Sequence, residues 1–314
     1  MRLSALFEEF CDYLRVEKEA APKTVTTYRS RFEDFLEFAR LEAKQPTVLT
    51  SHFTADLCRA YQYALDRRGC QANTIRTRLA TLSSLGKWAV LRGRLDRNPI
   101  DQIVRPKRKD RPPRVPRWSV VEDLTSNGLE LRAKAIIALL AWGGLRRAEV
   151  AALDVGDFDP AFGLRRVRGK GGHEEAVALP DRACQLVAAY LAAHRAGVQV
   201  DAPMFVTRYL SQGGRAREGR MAEGRVYKLV RALGKKFGLA GLHPHAFRHA
   251  CGVELLELAK GDLRAVQEHL RHRHIQTTTL YTRLSKTKMK RVVGLFDRDD
   301  KAGGSRPALG GRES

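Results

Sequence analysis

Residues 104–117 read VRPKRKDRPPRVPR, and this stretch divides the chain. It holds seven basic residues, one acid and four prolines. Proline removes a backbone donor and stiffens the chain, so neither helix nor strand is expected to run through it. The stretch reads as a linker between two domains. Its charge also suits a path along a phosphate backbone.

Before the linker, residues 1–103 carry helical periodicity. LSALFEEFCDYLRVE sets Leu3, Leu6, Phe7, Phe10 and Leu14 on one face. AAPKT breaks the pattern at Pro22 and offers Thr24 as the cap of a second helix, striped by Val25, Tyr28, Phe32, Phe35 and Leu36. FTADLCRAYQYALDRRG is a third helix closed by Gly69. NTIRTRLATLSSLGKWAVLRGRL is a fourth, capped by Asn73 and ended by the NPI at Asn98. The result is a small all-α unit with Arg29, Arg31, Arg76 and Arg78 available on its polar faces.

After the linker the character changes. AKAIIALLAWGGL is a buried helix broken by Gly143 and Gly144. LRRVRGKGGHEEAVALP reads as a β-hairpin turning at GKGG. Helices follow at ACQLVAAYLAAHR, RVYKLVRALGKKFG, HAFRHACGVELLELA and DLRAVQEHLRH, with SQGGRAREGRMAEGR expected as an exposed loop. The second domain spans 118–300. Residues 301–314, KAGGSRPALGGRES, are low in apolar content and expected to be disordered. The fold class is mainly α with a small β-hairpin, an α+β arrangement in two domains.

Composition narrows the partners. There are 57 Lys and Arg against 35 Asp and Glu, a formal net charge of +22 spread along the chain. Such an excess points to a polyanion, and nucleic acid is the first choice. Five scattered cysteines without a C-x-x-C spacing read as reduced thiols, which fits a cytoplasmic protein. The first 18 residues are acidic as well as apolar, unlike a signal peptide, and no apolar run is long enough to span a membrane.

The chemistry concentrates near the C-terminus. Six of the nine histidines lie between His243 and His274. A metal site is disfavoured: H-E-x-x-H is absent, no carboxylate or cysteine stands at a usual partner spacing, and the interleaved arginines would repel a cation. A phosphate site fits better. Arginine grips phosphate oxygens in a planar fork, and imidazole donates to them or moves protons. A metal-free phosphoryl transfer needs cationic donors, an acid at the leaving oxygen and a side-chain nucleophile. Tyr281 can serve, since a neighbouring cationic cluster favours the phenolate.

At this point the chain resembles a tyrosine recombinase of the phage-integrase class, closest in layout to the Xer-like members. Four blocks carry the likeness in order. GGLRRAEVAAL is similar to the family's first arginine box and offers Arg146, with Glu149 following. VRGKGGHEEAVALP is similar to the hairpin that carries a lysine, here Lys170. HPHAFRHACGVELL is similar to the H-x-x-R box, giving His245 and Arg248, with His249 at a supporting position. HLRHRHIQTTTLYTRL is similar to the last box, giving His272 and the nucleophile Tyr281. Three positions depart from the pattern. Arg271 stands where the family often has glycine, Arg283 where it often has histidine, and Phe247 where leucine is common.

The resemblance implies a helical core-binding domain and a catalytic domain forming a clamp around double-stranded DNA with specific recombination sites. It implies attack by Tyr281 to leave a 3′-phosphotyrosyl link and a free 5′-hydroxyl. Arg146 and Arg248 would hold the non-bridging oxygens, Lys170 would protonate the leaving oxygen, and His245 and His272 would assist. No cofactor, neither metal nor ATP, is implied. Four subunits would act together, as a homotetramer or with a related recombinase, at the nucleoid. Met289, Val292, Val293 and Phe296 share a helical face that would dock on a neighbouring subunit. The compact layout leans toward dimer-resolving or element-borne enzymes. A type IB topoisomerase-like nicking and resealing enzyme is the alternative with the same chemistry. A DNA-binding regulator with a degenerate site is a third reading, disfavoured because a pure binder has no need of Lys170 or Tyr281.

Overall fold

Leu3, Leu6, Phe7 and Phe10 are all buried, as their spacing predicts, and they seed the core of an N-terminal helical unit. The structure, a computed structural model, describes residues 1–107, 115–126, 128–169, 172–210, 216–272 and 281. Lys170, the C-terminal apolar face and the tail lie outside those residues. The chain separates into two units, Met1–Arg111 and Pro112–Ser314. It is mainly helical with small antiparallel sheets, as the sequence leads one to expect.

The first unit contains α1 (Leu3–Val16), α2 (Pro22–Ala43), α3 (Ala55–Arg67) and α4 (Ala72–Leu91). Phe7 stacks on Phe32 with ring centroids 3.8 Å apart, which locks α1 to α2. Three expected boundaries are corrected. The cap of α2 is Ala21, not Thr24, because Pro22 sits at the first helical position, where no N–H is needed. Asn73 lies inside α4, which begins at Ala72. Asn98 does not end α4; its Oδ1 accepts from the Ile100 N–H at 3.2 Å and caps a short turn, Pro99–Gln102.

The arginines expected on open polar faces are engaged within the unit. Arg29 pairs with Glu8, Arg31 donates to the Thr77 carbonyl at 3.4 Å, and Arg76 donates to the Pro106 carbonyl at 2.9 Å. Arg78 joins Arg68 and the Tyr61 hydroxyl on the single carboxylate of Asp34. Helix packing has brought carboxylates and carbonyls to them, which periodicity alone does not reveal.

The second unit is built around α6 (Leu131–Ala141). Its residues from Ala135 to Ala141 are all buried, as expected of a helix apolar on every side. Against it pack α5 (Trp118–Ser126), α8 (Asp181–His194) and α10 (Pro244–Leu258). A short α7 (Arg147–Ala152) lies against α9 (Glu223–Lys236), and α11 (Leu263–His269) follows α10. The expected hairpin is present as β2 (Gly163–Arg168) and β3 (Glu174–Ala178), joined by β1 (Phe158–Asp159) into three antiparallel strands. Its register shifts between Leu164 and Val167, so Arg165 and Arg166 are both exposed between two buried neighbours.

The Gly- and Arg-rich segment after 210 is not simply a loop. Ala216–Arg220 forms β5, paired with β4 (Val206–Leu210), and residues 223–225 open α9. One carboxylate ties the two hairpins together. Buried Asp154 accepts from Arg168 of β2 at 2.9 Å and from Arg220 of β5. Arg220 also donates to the carbonyls of Ala152 and Leu153 at 2.9 and 3.0 Å, satisfying the open end of α7.

Candidate active site

The end of α6 organises the site through its backbone. Gly144 adopts φ +57°, and a Cβ there would meet Leu270 Cδ2 at 2.4 Å. Only glycine lets the end of α11 come so close. The freed carbonyls then take donors from distant segments. The Trp142 carbonyl lies 2.7 Å from His269 Nε2, and Cys251 Sγ donates to it at 3.6 Å. A carbonyl only accepts, so His269 carries its proton on Nε2. The carbonyls of Gly144 and Leu270 each accept from one Nη of Arg248. Arg248 is wholly buried, and its Nε finds no partner among the described residues.

Arg146 precedes α7 and is held by Glu149. The carboxylate accepts the Arg146 backbone N–H at 2.9 Å and its Nη1 at 2.5 Å. This is a capping arrangement in which the acid at the third helical position reaches back. Arg271 grips the same carboxylate, its Nη2 3.0 Å from Oε2. Glu149 is 4% exposed, whereas the Arg146 side chain is 43% exposed and keeps an open face. Burial pushes the Glu149 pKa up. The Arg146 N–H, the Arg271 charge and the Arg146 side chain outweigh it, so the carboxyl is held below its usual range.

The segment before His272 turns sharply. The Arg271 N–H donates to Glu268 and the His272 N–H to Gln267, both at 3.0 Å, which is the paired closure typical of a helix end. Arg271 takes the left-handed conformation this requires, at φ +53°. A side chain there costs about 1 kcal/mol or more relative to glycine.

Tyr281 is 1% exposed and packs with Cys251, Leu256, Val266 and Leu270. Its ring lies against the backbone of α10: a Cβ on Gly252 would fall 2.5 Å from the Tyr281 ring. The His272 ring stacks on it at 6.0 Å with a 15° tilt, and the His249 ring meets it at 5.8 Å. His245 stands edge-on to His249 at 4.3 Å. His243 caps α10, its Nδ1 accepting the Ala246 N–H at 3.1 Å, and Pro244 follows at the first helical position. This start sets the phase that turns His245, Arg248, His249 and Gly252 toward one region. Lys170 and His274 lie outside the described residues.

The electrostatics reverse one expectation. Cations were expected to favour the Tyr281 phenolate. Burial dominates instead and pushes its pKa up to about 12, against the lowering pull of Arg248 and Arg146. Burial and the surrounding arginines lower His272 to about 4, and burial with the neighbouring histidines and Arg248 lowers His249 to about 3. His245 is lowered by burial, then by Arg248, His243 and Arg146. These imidazoles are neutral at pH 7. Burial and the Arg146 and Arg271 charges pull Arg248 down to about 10, still a cation near neutrality. His249 Nδ1 is buried and unpaired among the described residues. No three His, Cys, Asp or Glu side chains among those residues converge as a metal ion would require.

Sequence reading passed over Gly252, Cys251 and His269. Gly252 left a signal, because glycine inside a helix is unfavourable and often marks a close approach. Cys251 and His269 act on a backbone carbonyl, and no residue pattern announces that.

A mostly helical frame that gathers arginines, neutral imidazoles and one tyrosine has a counterpart among known proteins. Residues 119–288 match the phage integrase family, and residues 7–93 match the phage integrase N-terminal SAM-like domain. The chain belongs to the phage integrase family. Within it, the chain is a tyrosine recombinase. It is 31% identical over 283 residues to tyrosine recombinase XerC of Actinobacillus pleuropneumoniae, covering 88% of each chain. It is 32% identical over 285 residues to the XerC of Shewanella amazonensis, covering 88% of this chain and 90% of the relative.

Two solved structures share the fold. One is a lambda integrase dimer bound to a COC′ core site, with TM-score 0.66, 16% identity, and coverage of 98% of this chain and 80% of that one. The other is the XerH site-specific recombinase bound to a palindromic difH substrate, with TM-score 0.66, 18% identity, and coverage of 93% and 84%.

Proposed function

We propose that the protein is a site-specific DNA recombinase that cuts and rejoins duplex DNA through a 3′-phosphotyrosyl intermediate. The observation that carries this reading is the packing of His249 and His272 on Tyr281 together with the bond from Arg248 to the Gly144 carbonyl, 104 residues away in sequence and two positions before Arg146. Duplex DNA is the partner that its charge of +22 and its family membership support. Its work lies in the cytoplasm, at the nucleoid.

The chemistry follows from the groups present. The Tyr281 oxygen attacks the phosphorus in line with the 5′-oxygen. The open face of Arg146 and the Nε of Arg248, which has no partner among the described residues, donate to the non-bridging oxygens, where charge grows in the transition state. A neutral imidazole, His272 or His245, accepts the phenol's proton and hydrogen-bonds the phosphate. Lys170, beside Gly169 and Gly171 in the hairpin sequence, gives a proton to the leaving 5′-oxygen. The phosphotyrosyl link conserves the energy of the diester, so rejoining by another strand's 5′-hydroxyl needs no ATP. Exchange of two strand pairs calls for four subunits, alike or paired with a related recombinase.

A nicked suicide duplex tests the nucleophile. The wild-type chain forms a covalent adduct stable to denaturant, and Tyr281→Phe binds the duplex equally but forms none. An adduct retained in Tyr281→Phe would move the nucleophile elsewhere.

A further inference from the structure

Arg271 occupies a place that suits glycine better. It lies in the left-handed region, at φ +53°, to close the end of α11. Yet its side chain is 7% exposed, and both of its Nη atoms are bonded. Nη2 lies 3.0 Å from Glu149 Oε2, and Nη1 donates to the His269 carbonyl at 3.0 Å and the Gly143 carbonyl at 3.4 Å. The guanidinium therefore ties the end of α11 to both the end of α6 and the first turn of α7.

The two oxygens of Glu149 divide their work. Oε1 takes the Arg146 guanidinium, while Oε2 takes the Arg146 N–H and Arg271. Without Arg271, a carboxylate 4% exposed would have one cation left, and the Arg146 side chain would turn inward to satisfy both oxygens. That would withdraw the open face of Arg146. The residue after Arg271 is His272, whose ring stacks on Tyr281. One side chain thus stands between the first arginine and the last imidazole.

We propose that Arg271 is a positioning residue: through Glu149 it fixes the guanidinium of Arg146, and through its backbone it fixes His272, so that the two act as one unit. This rests on the phosphoryl-transfer reading of the site. Arg271 does not itself touch the reacting phosphate. Its removal acts on the rate of cleavage and leaves duplex affinity unchanged.

The test is single-turnover adduct formation on the nicked suicide duplex, read beside a duplex-binding titration and a thermal melt. Arg271→Gly relieves the backbone but breaks a buried ion pair, which outweighs it, so the variant melts below the wild type and is assayed well under its transition. It binds as tightly but cleaves about 10- to 100-fold more slowly, the cost expected of a misplaced catalytic group. Arg271→Lys restores part of the rate, because an ammonium still pairs with Glu149. Glu149→Gln slows the wild-type chain but adds no further loss to Arg271→Gly. Wild-type cleavage by Arg271→Gly, or losses that multiply in the double variant, would overturn the proposal. Should Arg271→Gly fail to fold, Arg271→Lys against Arg271→Met carries the same comparison. Absence of adduct with the wild-type chain would instead sink the phosphoryl-transfer reading, and this inference with it.

Discussion

Gly252 and Tyr281 show how much one hydrogen atom in place of a methyl group decides. The tyrosine ring rests where a Cβ on residue 252 would stand at 2.5 Å, far inside contact distance. Gly252→Ala must therefore push the ring out of its seat or bend α10. We expect displacement of the ring, because α10 is fixed by Arg248 on both sides of the site. Nitration with tetranitromethane, mapped by mass spectrometry, checks this: Tyr281 is protected in the wild-type chain and modified in Gly252→Ala. Equal protection in both would show that the helix yields instead. The residue scale also marks where sequence reading fell short. Charged neighbours of Tyr281 can be named from the sequence, and they argue for a phenolate. The depth of burial, which decides the matter, belongs to the packed structure.

At the scale of elements, the two hairpins depend on Asp154. It joins Arg168 and Arg220, which are 37% and 39% exposed, so its loss strands neither charge in a dry interior. Asp154→Ala should cost about 1–3 kcal/mol, the worth of hydrogen bonds to charged groups. It should also speed amide hydrogen exchange in β2–β3 and β4–β5 together. Faster exchange in one hairpin alone would mean that the two are held independently. The first hairpin was legible because Leu164, Val167 and Val177 face the core between turn residues. The second was not. Arg217, Glu218 and Arg220 of β5 are exposed or nearly so, and ion pairs rather than buried side chains hold the strand. Helix caps were misread for a related reason. Proline at a first position and backbone closures fixed those ends without the usual Ser, Thr, Asp or Asn signal.

For the molecule as a whole, the order of four motifs made the family legible, while the geometry that joins them lay in carbonyls and burial. Burial also sets a pH response. His249 and His272 have folded pKa values of about 3 and about 4, against about 6.5 in an unfolded chain. Between those limits the unfolded chain binds protons that the folded one refuses, so stability rises with pH across this window. It is complete above about pH 6.5 and declines as pH falls toward 4. The melting temperature should drop between pH 7 and pH 5, before most carboxylates titrate, and drop less in His249→Asn. An equal slope in that variant would remove His249 from the account.

The sheltered tyrosine has a consequence for the genome such a protein inhabits. A charge of +22 favours contact with duplex DNA whatever its sequence, and in any genome unrelated sequence vastly outnumbers a recombination site. Every chance encounter is an opportunity to break a chromosome. Burial pushes the Tyr281 pKa up to about 12, so the phenol keeps its proton at pH 7, and the ring is sheltered from solvent besides. Adhesion can then be indiscriminate while damage stays rare, because touching DNA and being armed to cut it are separate events.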